Sequence, residues 1–357
     1  MSIVPDWYWK HGRIDSFKFT EVVAGSDINE LQGITGGKIT RNYLSELKQS
    51  GSIEYAGKVD QGWIDKEVRV YLKTKFKAEP STEYEFALGT FLTTTPKRKL
   101  NDSSSKYSIQ CYSMLIKLKR KTHVGIYSLP AGTNVIQAVL DLCYEVGLRV
   151  RYVPSEYVLS TPYTSNDEDT YLSIVNALLD RANYGSISVD AYGTAIIKPY
   201  IPPSEKQPSW IFNDDDEGVY LPEIDIDWDV FDKPNELIIV ASDSENTNTV
   251  SVRNEDPNDM LSIPNRGIIS KTIRLDYYDS TSNLEKYGKR ILEGYKESIE
   301  NHGFKHWYVP IDTEEIVILR NRNIEGEKVA TVHTMDITLE PGVLVNTSIR
   351  QYIRTDY

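Results

Sequence analysis

The sequence predicts a mainly β protein of the α+β class. Short runs in which Val, Ile, Tyr, Phe or Thr alternate with polar residues recur near both ends, as in Glu67–Phe76 (EVRVYLKTKF) and in 328–342 (KVATVHTMDITLEPG). Helical spacing of three and four residues is confined to a few segments. Tyrosine, at 24 residues against 8 phenylalanines, supplies aromatic bodies with polar tips, which suit half-buried strands and subunit contacts. With 357 residues the chain exceeds the size at which one core usually stops growing, so two or more domains are expected.

The chain opens with Trp7, Tyr8 and Trp9 in series, and a tail this aromatic is expected to dock on its own domain or on a neighbour. From Ile14 the pattern IDSFKFTEVV alternates as a strand. The stretch 36–59 (GGKITRNYLSELKQSGSIEYAGKV) reads as a helix that turns into a strand. Ile39, Tyr43 and Leu47 recur at four-residue spacing with Leu44 beside them, Ser50-Gly51-Ser52 breaks the run, and Ile53, Tyr55 and Val59 take strand spacing. EVRVYLKTKF, EYEFALGTFLTTTP and SKYSIQCYSMLIKL follow as strands, so residues 1–122 are expected to form an N-terminal β-barrel domain.

Residues 123–201 change character and predict an α/β insert. Thr133 is positioned to cap a helix through VIQAVLDLCYEVG, with Val135, Val139, Leu142 and Val146 on one face and Gly147 at its end. A second helix spans about 167–183, marked by Leu172, Val175, Leu178 and Leu179, and short strands RVRYVP and SISVDAYGTAIIKPYI flank it. Pro202, Pro203 and Pro208 then interrupt any regular ladder and mark a linker. An acidic β domain is expected over 202–272, with IDIDWDVFD and ELIIVASDS as its clearest strands. Residues 273–357 begin with the helix NLEKYGKRILEGYKESIENHG (Leu284, Tyr287, Ile291, Tyr295, Ile299) and end in the strands HWYVPID, EEIVILRNR, KVATVHTMDITLEPG and VLVNTSIRQYI.

A net charge of −12 argues against nucleic-acid binding as a main function, because phosphate affinity rests on clustered Lys and Arg. Such a surface instead suits a protein past which DNA slides without sticking. Cys111 and Cys143 are too few for a disulfide framework, and both lie in apolar settings that predict buried free thiols. The opening MSIVPDWYWKHGR lacks the apolar core of a signal peptide, and no apolar run approaches the roughly 18 residues of a membrane span. Synthesis and folding in a reducing host cytoplasm are expected.

The order of elements and the wording of three segments resemble the baseplate hub proteins of phage tails and related injection machines, which sit between tail tube and central spike. The first segment is EYEFALGTFLTTTP followed by SKYSIQCYSMLIKLKR, where a Leu-Gly-Thr-Phe turn leads to a strand carrying Tyr112-Ser113. The second is the insert opening at SLPAGTNVIQAV, and the third is YVPIDTEEIVIL with VHTMDITLEPGVLVNTSIR, closed by a Pro-Gly turn. The chain departs from the hub pattern at Ile311-Asp312-Thr313-Glu314-Glu315, where a Gly-Asp pair is expected. The resemblance implies tail-tube-like β-barrel domains, two per subunit, and a homotrimeric ring that matches a hexameric tail tube. It also implies tube, baseplate and spike or fibre partners, a DNA channel, and a place in the virion tail.

Residues that could carry chemistry have plainer readings. Asp214-Asp215-Asp216-Glu217 and the same-face trio Asp225, Asp227 and Asp229 could bind Ca²⁺ or act as acid and base, but without the spacing of a calcium loop they read as a solvated or lumen-facing surface. His302 and His306 stand four apart, yet Gly303 breaks the helix and no metalloprotease motif follows; His11, His123 and His333 lack ligand-like neighbours. Ser113, His333 and Asp336 make a triad only on paper, for want of a nucleophile elbow. The basic cluster Lys97, Arg98, Lys99, Lys117, Lys119, Arg120 and Lys121 reads as solvated or facing an acidic neighbour, and Gly36-Gly37 lacks the phosphate-loop frame. No catalytic, cofactor or metal residue is assigned. The expected function is a structural hub; a wall or polysaccharide hydrolase using the 214–229 carboxylates, and a glycan-binding module using Trp7, Trp9 and Trp63, are the alternatives.

Overall fold

The computed structural model describes residues 4–56, 61–101, 104–216, 218–228, 231–242, 246–275, 277, 279–296 and 300–351. Val59, Glu217, Asp229 and Ile299 lie outside them. A short helix α1 (Asp6–Trp9) precedes seven strands: β1 (Arg13–Val23), β2 (Ser26–Glu30), β3 (Ile34–Asn42), β4 (Gln49–Ala56), β5 (Glu67–Phe76), β6 (Tyr84–Asn101) and β7 (Ser104–Ser113). The first insert follows, with α2 (Ile116–Lys119), β8 (Ser128–Leu129), α3 (Val135–Glu145), β9 (Val150–Tyr152), β10 (Tyr163–Thr164), α4 (Tyr171–Arg181), β11 (Ser188–Val189) and β12 (Ala195–Ile197). Then come β13 (Pro208–Phe212) and β14 (Tyr220–Trp228), and a second insert of β15 (Glu236–Ser242), β16 (Thr247–Arg253), α5 (Ile263–Arg266), β17 (Ser270–Leu275) and α6 (Thr281–Lys296). β18 (Glu300–Trp307), β19 (Ile316–Leu319), β20 (Lys328–Thr338) and β21 (Leu344–Gln351) complete the chain.

The fold is mainly β, as expected, but the strands join into one open sheet rather than closed barrels. Its hydrogen-bonded order runs β14-β18-β21-β20-β3-β4-β7-β6-β5-β1-β2, with β13 and β19 attached to one end of β20. The two halves meet where β20 pairs with β3, from Thr334 opposite Asn42 to Thr338 opposite Lys38. Arg41, buried at this seam, donates to the carbonyl oxygens of Leu88 and Ile311 and faces Asp312 at 3.2 Å. One apolar core under the sheet spans both halves, from Phe76, Phe91 and Ile109 to Phe212, Phe304 and Val345. The expected acidic domain over 202–272 divides between two cores, because β13 and β14 join the large sheet while β15–β17 form a sheet of their own against α6.

Three local expectations need correction. Residues 36–42 form strand rather than helix. The β-branched Ile39 and Thr40 disfavour a helix, and Gly37 lies against β4 so closely that a Cβ would stand 2.2 Å from the Ser52 carbonyl oxygen. Leu88-Gly89-Thr90-Phe91 lies inside β6, where the pairing with β5 skips Leu88 as a bulge, rather than at a strand end. The strand read through Leu118 stops at Ser113, and α2 carries Leu115 and Leu118 into the core of the first insert.

Both helices of that insert form as read, with the caps shifted by chemistry. Asn134 accepts from the Gln137 amide to start α3, while the Thr133 hydroxyl is turned to the Pro130 carbonyl; Thr170 accepts from Ser173 to start α4. Gly147 follows α3 with a φ of 71°. The Pro341-Gly342 turn joins β20 to β21, with Gly342 at φ 83°.

Candidate assembly surfaces

Register fixes what the outer face of the sheet presents. On β14, Asp225 and Asp227 point to one side, as their spacing predicts, and stand opposite Gly303 and Asn301. Across the following strands the same face carries Ser348 and Asn346, then Thr334 and Asp336, Lys38 and Thr40, Ser50 and Ser52, and Gln110 and Tyr112. The opposite face carries Phe304, Met335, Ile337, Ile39, Ile53 and Ile109, all in the core. A hydroxyl-, amide- and charge-lined surface thus runs unbroken across the seam between halves. Asp336 anchors it, accepting from Thr40 at 2.7 Å and pairing with Lys38 at 2.9 Å.

The edges are blunted in ways that discourage indiscriminate pairing. β2 is exposed throughout, and Asp27 on it is held by Arg69 at 2.7 Å. β14 carries Pro222, Glu223, Asp225 and Asp227 along its open side. Large apolar side chains are exposed at two separate places on that side of the sheet: Ile226 and Trp228, with Phe231 after them, beside the Glu300 end of β18, and the cross-strand pair Trp307 and Leu344 at its other end. Exposed aromatic side chains on an otherwise acidic surface suit protein contacts.

Among the described residues the candidate chemical groups are not gathered into one site. Asp225 and Asp227 stand exposed on the open strand, and the three principal cavities are lined by other residues. Asp214 is clasped by Arg322 through two side-chain contacts of 2.7 and 3.0 Å, which hold its carboxyl below the usual range. The Ser113 hydroxyl donates to the Leu47 carbonyl, His333 packs on Tyr43, and Asp336 is occupied as described. Among the described residues no group of three or more His, Cys, Asp or Glu is placed to hold a metal ion.

His302 and His306 lie on β18 rather than on a helix, both fully buried. His306 bridges the Trp307 carbonyl and the Thr347 hydroxyl at 2.8 Å each, and burial pushes its pKa down to about 4. His302, 3.4 Å from Glu300, is also lowered by burial, and His333 is lowered to about 4 by burial and then by Arg350. Burial likewise raises Cys111 and Cys143 to about 12, as suits unreactive thiols.

The tryptophans proposed for glycan binding do not share a surface. Trp9 and Trp63 are buried, whereas Trp7 is half exposed. Trp9 docks the aromatic tail on its own chain, edge-on to Phe76 and Tyr308 and close to Phe86. The basic run is neutralised within the chain: Lys117 meets Glu67, Lys119 Glu46, Arg120 Asp65, and Lys121 Glu145. Arg98 lies over the Tyr107 ring, and the Lys99 side chain lies outside the described set. Among the described residues no helix is long and apolar enough to cross a membrane.

No family model and no curated protein sequence matches the chain. Among solved structures it is similar to the tail protein from Neisseria meningitidis MC58, at 12% identity over 94% of this chain and 97% of that one, with a TM-score of 0.69. A second is the 43 kDa tail protein of prophage MuSo2 from Shewanella oneidensis, at 12% identity over 93% and 97% of the two chains and a TM-score of 0.66. A third is an E. coli component of the type VI secretion system, itself described as similar to the T4 tail proteins gp27 and gp5, at 11% identity over 91% and 76% and a TM-score of 0.55. The hub resemblance read from the sequence is therefore matched at the level of the whole fold, and the chain has the architecture of a phage tail or baseplate hub-like protein.

Proposed function

We propose that the chain is a non-enzymatic structural protein of a phage or phage-like tail, forming the baseplate or tail-tip hub ring that joins the tail tube to the central spike or fibre. Three copies would close the ring, each supplying both halves of its sheet, so that six similar units face the tube and three-fold symmetry faces the spike. Tail tube, distal tail or baseplate proteins, and the spike or fibre are the partners of this reading; the virion tail is its location.

The observation that carries the proposal is the unbroken polar outer face across the β3–β20 seam. A channel wall for DNA needs a surface that is wetted and offers few fixed cations, and here Lys38 is neutralised by Asp336. Its neighbours Thr40, Ser50, Ser52, Asn346 and Ser348 are uncharged, and Lys305, opposite Asn346, is the exposed cation that joins them toward the β18 end. We therefore assign this face to the lumen, and the exposed Trp228, on the edge strand β14, and Phe231 just after it to subunit or partner contacts.

Light scattering over a concentration series, with and without the cognate tube protein, tests the ring. A discrete species near three times the chain mass is expected, and a strict monomer in both series would overturn the proposal. Within an assembled ring, a thiol-reactive probe on Ser50→Cys should be shielded from bulky reagents that cannot enter the channel. Free labelling by those reagents would remove this face from the lumen.

A further inference from the structure

A loop with an aliphatic tip stands clear of the first insert. Its base is fixed: Thr122 bridges to Thr170 at the start of α4, the Tyr171 amide donates to the Lys121 carbonyl, and Tyr127 exchanges hydrogen bonds with Ser165. Between these anchors the chain turns at Gly125, with a φ of 79° and nothing beyond its own chain neighbours within 4 Å of where a Cβ would lie. Val124 is 97% exposed and Ile126 55%. Covering two branched aliphatic side chains releases the water over them, so a tip held out on a fixed base favours contact.

An open cavity of about 510 Å³ lies at the other end of α4, where Asp180 and Tyr184 meet the β3–β4 turn, α6 and the turn before β19. From Thr170 to Asp180 the helix rises about 15 Å. The charges in the cavity wall are answered within the chain. Arg290 pairs with Asp180 at 2.6 Å, Lys48 donates to the Tyr43 carbonyl, Lys206 donates to the Glu314 carbonyl at 3.0 Å, and Glu46 meets Lys119. Lys198, half exposed, stands 3.9 Å from the Glu314 carboxylate. What the wall leaves for an occupant is apolar: Leu44 and Ile201 are exposed in it, beside Pro203, Tyr287 and Ile291.

We propose that the Val124-Gly125-Ile126 tip of one subunit seats in this cavity of a second copy of the chain. The tip carries no charge, as suits a wall whose charges are already paired. Tip and cavity lie at opposite ends of one helix, so each copy presents both halves of the contact and uses neither on itself. A contact of this kind is head-to-tail, and it closes into a ring where the rotation from copy to copy allows. Closure at three copies rests on the hub reading; the pairing of tip and cavity does not.

Cross-linking of the full chain tests the contact. Val124→Cys and Leu44→Cys chains, mixed and treated with a short bis-maleimide, should give a covalent heterodimer that neither gives alone, since the native Cys111 and Cys143 are buried and unreactive. Val124→Asp alters a side chain that is almost wholly exposed in its own chain, so thermal unfolding should stay unchanged while the concentration for half-assembly rises roughly tenfold. A Val124→Cys homodimer, or no mixed product, overturns the inference. Light scattering on the same samples separates the two readings. A trimer that survives Val124→Asp and gives no mixed product sinks the contact and leaves the hub standing, whereas mixed product from a chain that never forms a trimer keeps the contact and removes the ring.

Discussion

The two inserts hang from the same sheet but are held by different means. The first has an interior of its own: Val139, Leu172, Ile174, Val175, Leu178 and Leu179 are fully buried between α3, α4 and the β9–β11–β12 sheet. Its fastening to the large sheet is polar, through Thr90 on the Ala191 carbonyl at 2.9 Å and the Arg69 guanidinium on the Tyr192 carbonyl and ring. The second insert is a single layer, with α6 laid across β15 and β16 and only Leu237, Ile239, Ala241, Val250, Val252, Leu284 and Leu292 in its core. It leans on the first insert, where Arg181 lies 3.7 Å from the Tyr277 ring centre, Arg290 pairs with Asp180 at 2.6 Å, and the Tyr157 hydroxyl donates to Asp279. A self-sufficient core tolerates loss of its neighbours, and a thin one depends on them.

The largest effect should come from emptying the thicker core. Leu178→Ala should cost about 2–5 kcal/mol, because close-packed surroundings relax little around the cavity. Leu292→Ala, under one helix at the margin of the thin core, should fall at the lower end of that range. Urea unfolding of both variants measures the difference, and equal losses would break the contrast.

Next in size is the fit of α6 on its sheet. A Cβ on Gly288 would stand 2.6 Å from Ile239 Cδ1 and 2.7 Å from Val252 Cγ2, so glycine persists mid-helix to let the layers approach. Gly288→Val should cost roughly 1–3 kcal/mol by overpacking. Limited proteolysis should then cut within 236–296 while the first insert stays protected; simultaneous cleavage of both would mean that they unfold as one unit.

Acid provides a further separation. His306 and His333 belong to the large sheet, and burial holds each near 4 against an ordinary 6.5. The unfolded chain therefore binds more protons between these values, and the stabilising effect of keeping both rings neutral is present above about 6.5 and lost as pH falls toward 4. Hydrogen exchange at pH 7 and pH 5 should show the sheet losing protection before the first insert, whose core of described residues holds no histidine. Uniform loss would contradict this ordering.

The smallest effect concerns the strap between inserts. A double-mutant cycle on Arg290→Gln and Asp180→Asn should give a coupling of roughly 0.2–1 kcal/mol, since Asp180 is half exposed and screened. A larger value would mean that the inserts behave as one body.

Side-chain periodicity made the faces of this molecule legible before its partners were. Asp225 and Asp227 share a face as their spacing required, and α3 and α4 bury the residues singled out for them. Periodicity failed where four-residue spacing arose by coincidence: Ile39 lies on a strand, whereas Tyr43 and Leu47 belong to the turn after it. It could not show that β13 and β14 bypass their neighbours in sequence to join strands about 70 to 110 residues later, because pairing partners leave no mark in local pattern. His302 and His306 are buried for the same reason, since a period of two places them with Phe304 on the core side of β18.

The seam between β3 and β20 has a kinetic consequence. Thr40 and Asp336 are 296 positions apart, so the strand that completes the polar face is made only after all the intervening residues have been synthesised. Closing so long a loop comes late in folding, after local hairpins and the first insert have formed. A half-made chain thus lacks the polar face that we assign to the lumen. Translation through β20 becomes the step after which a subunit can present that face whole.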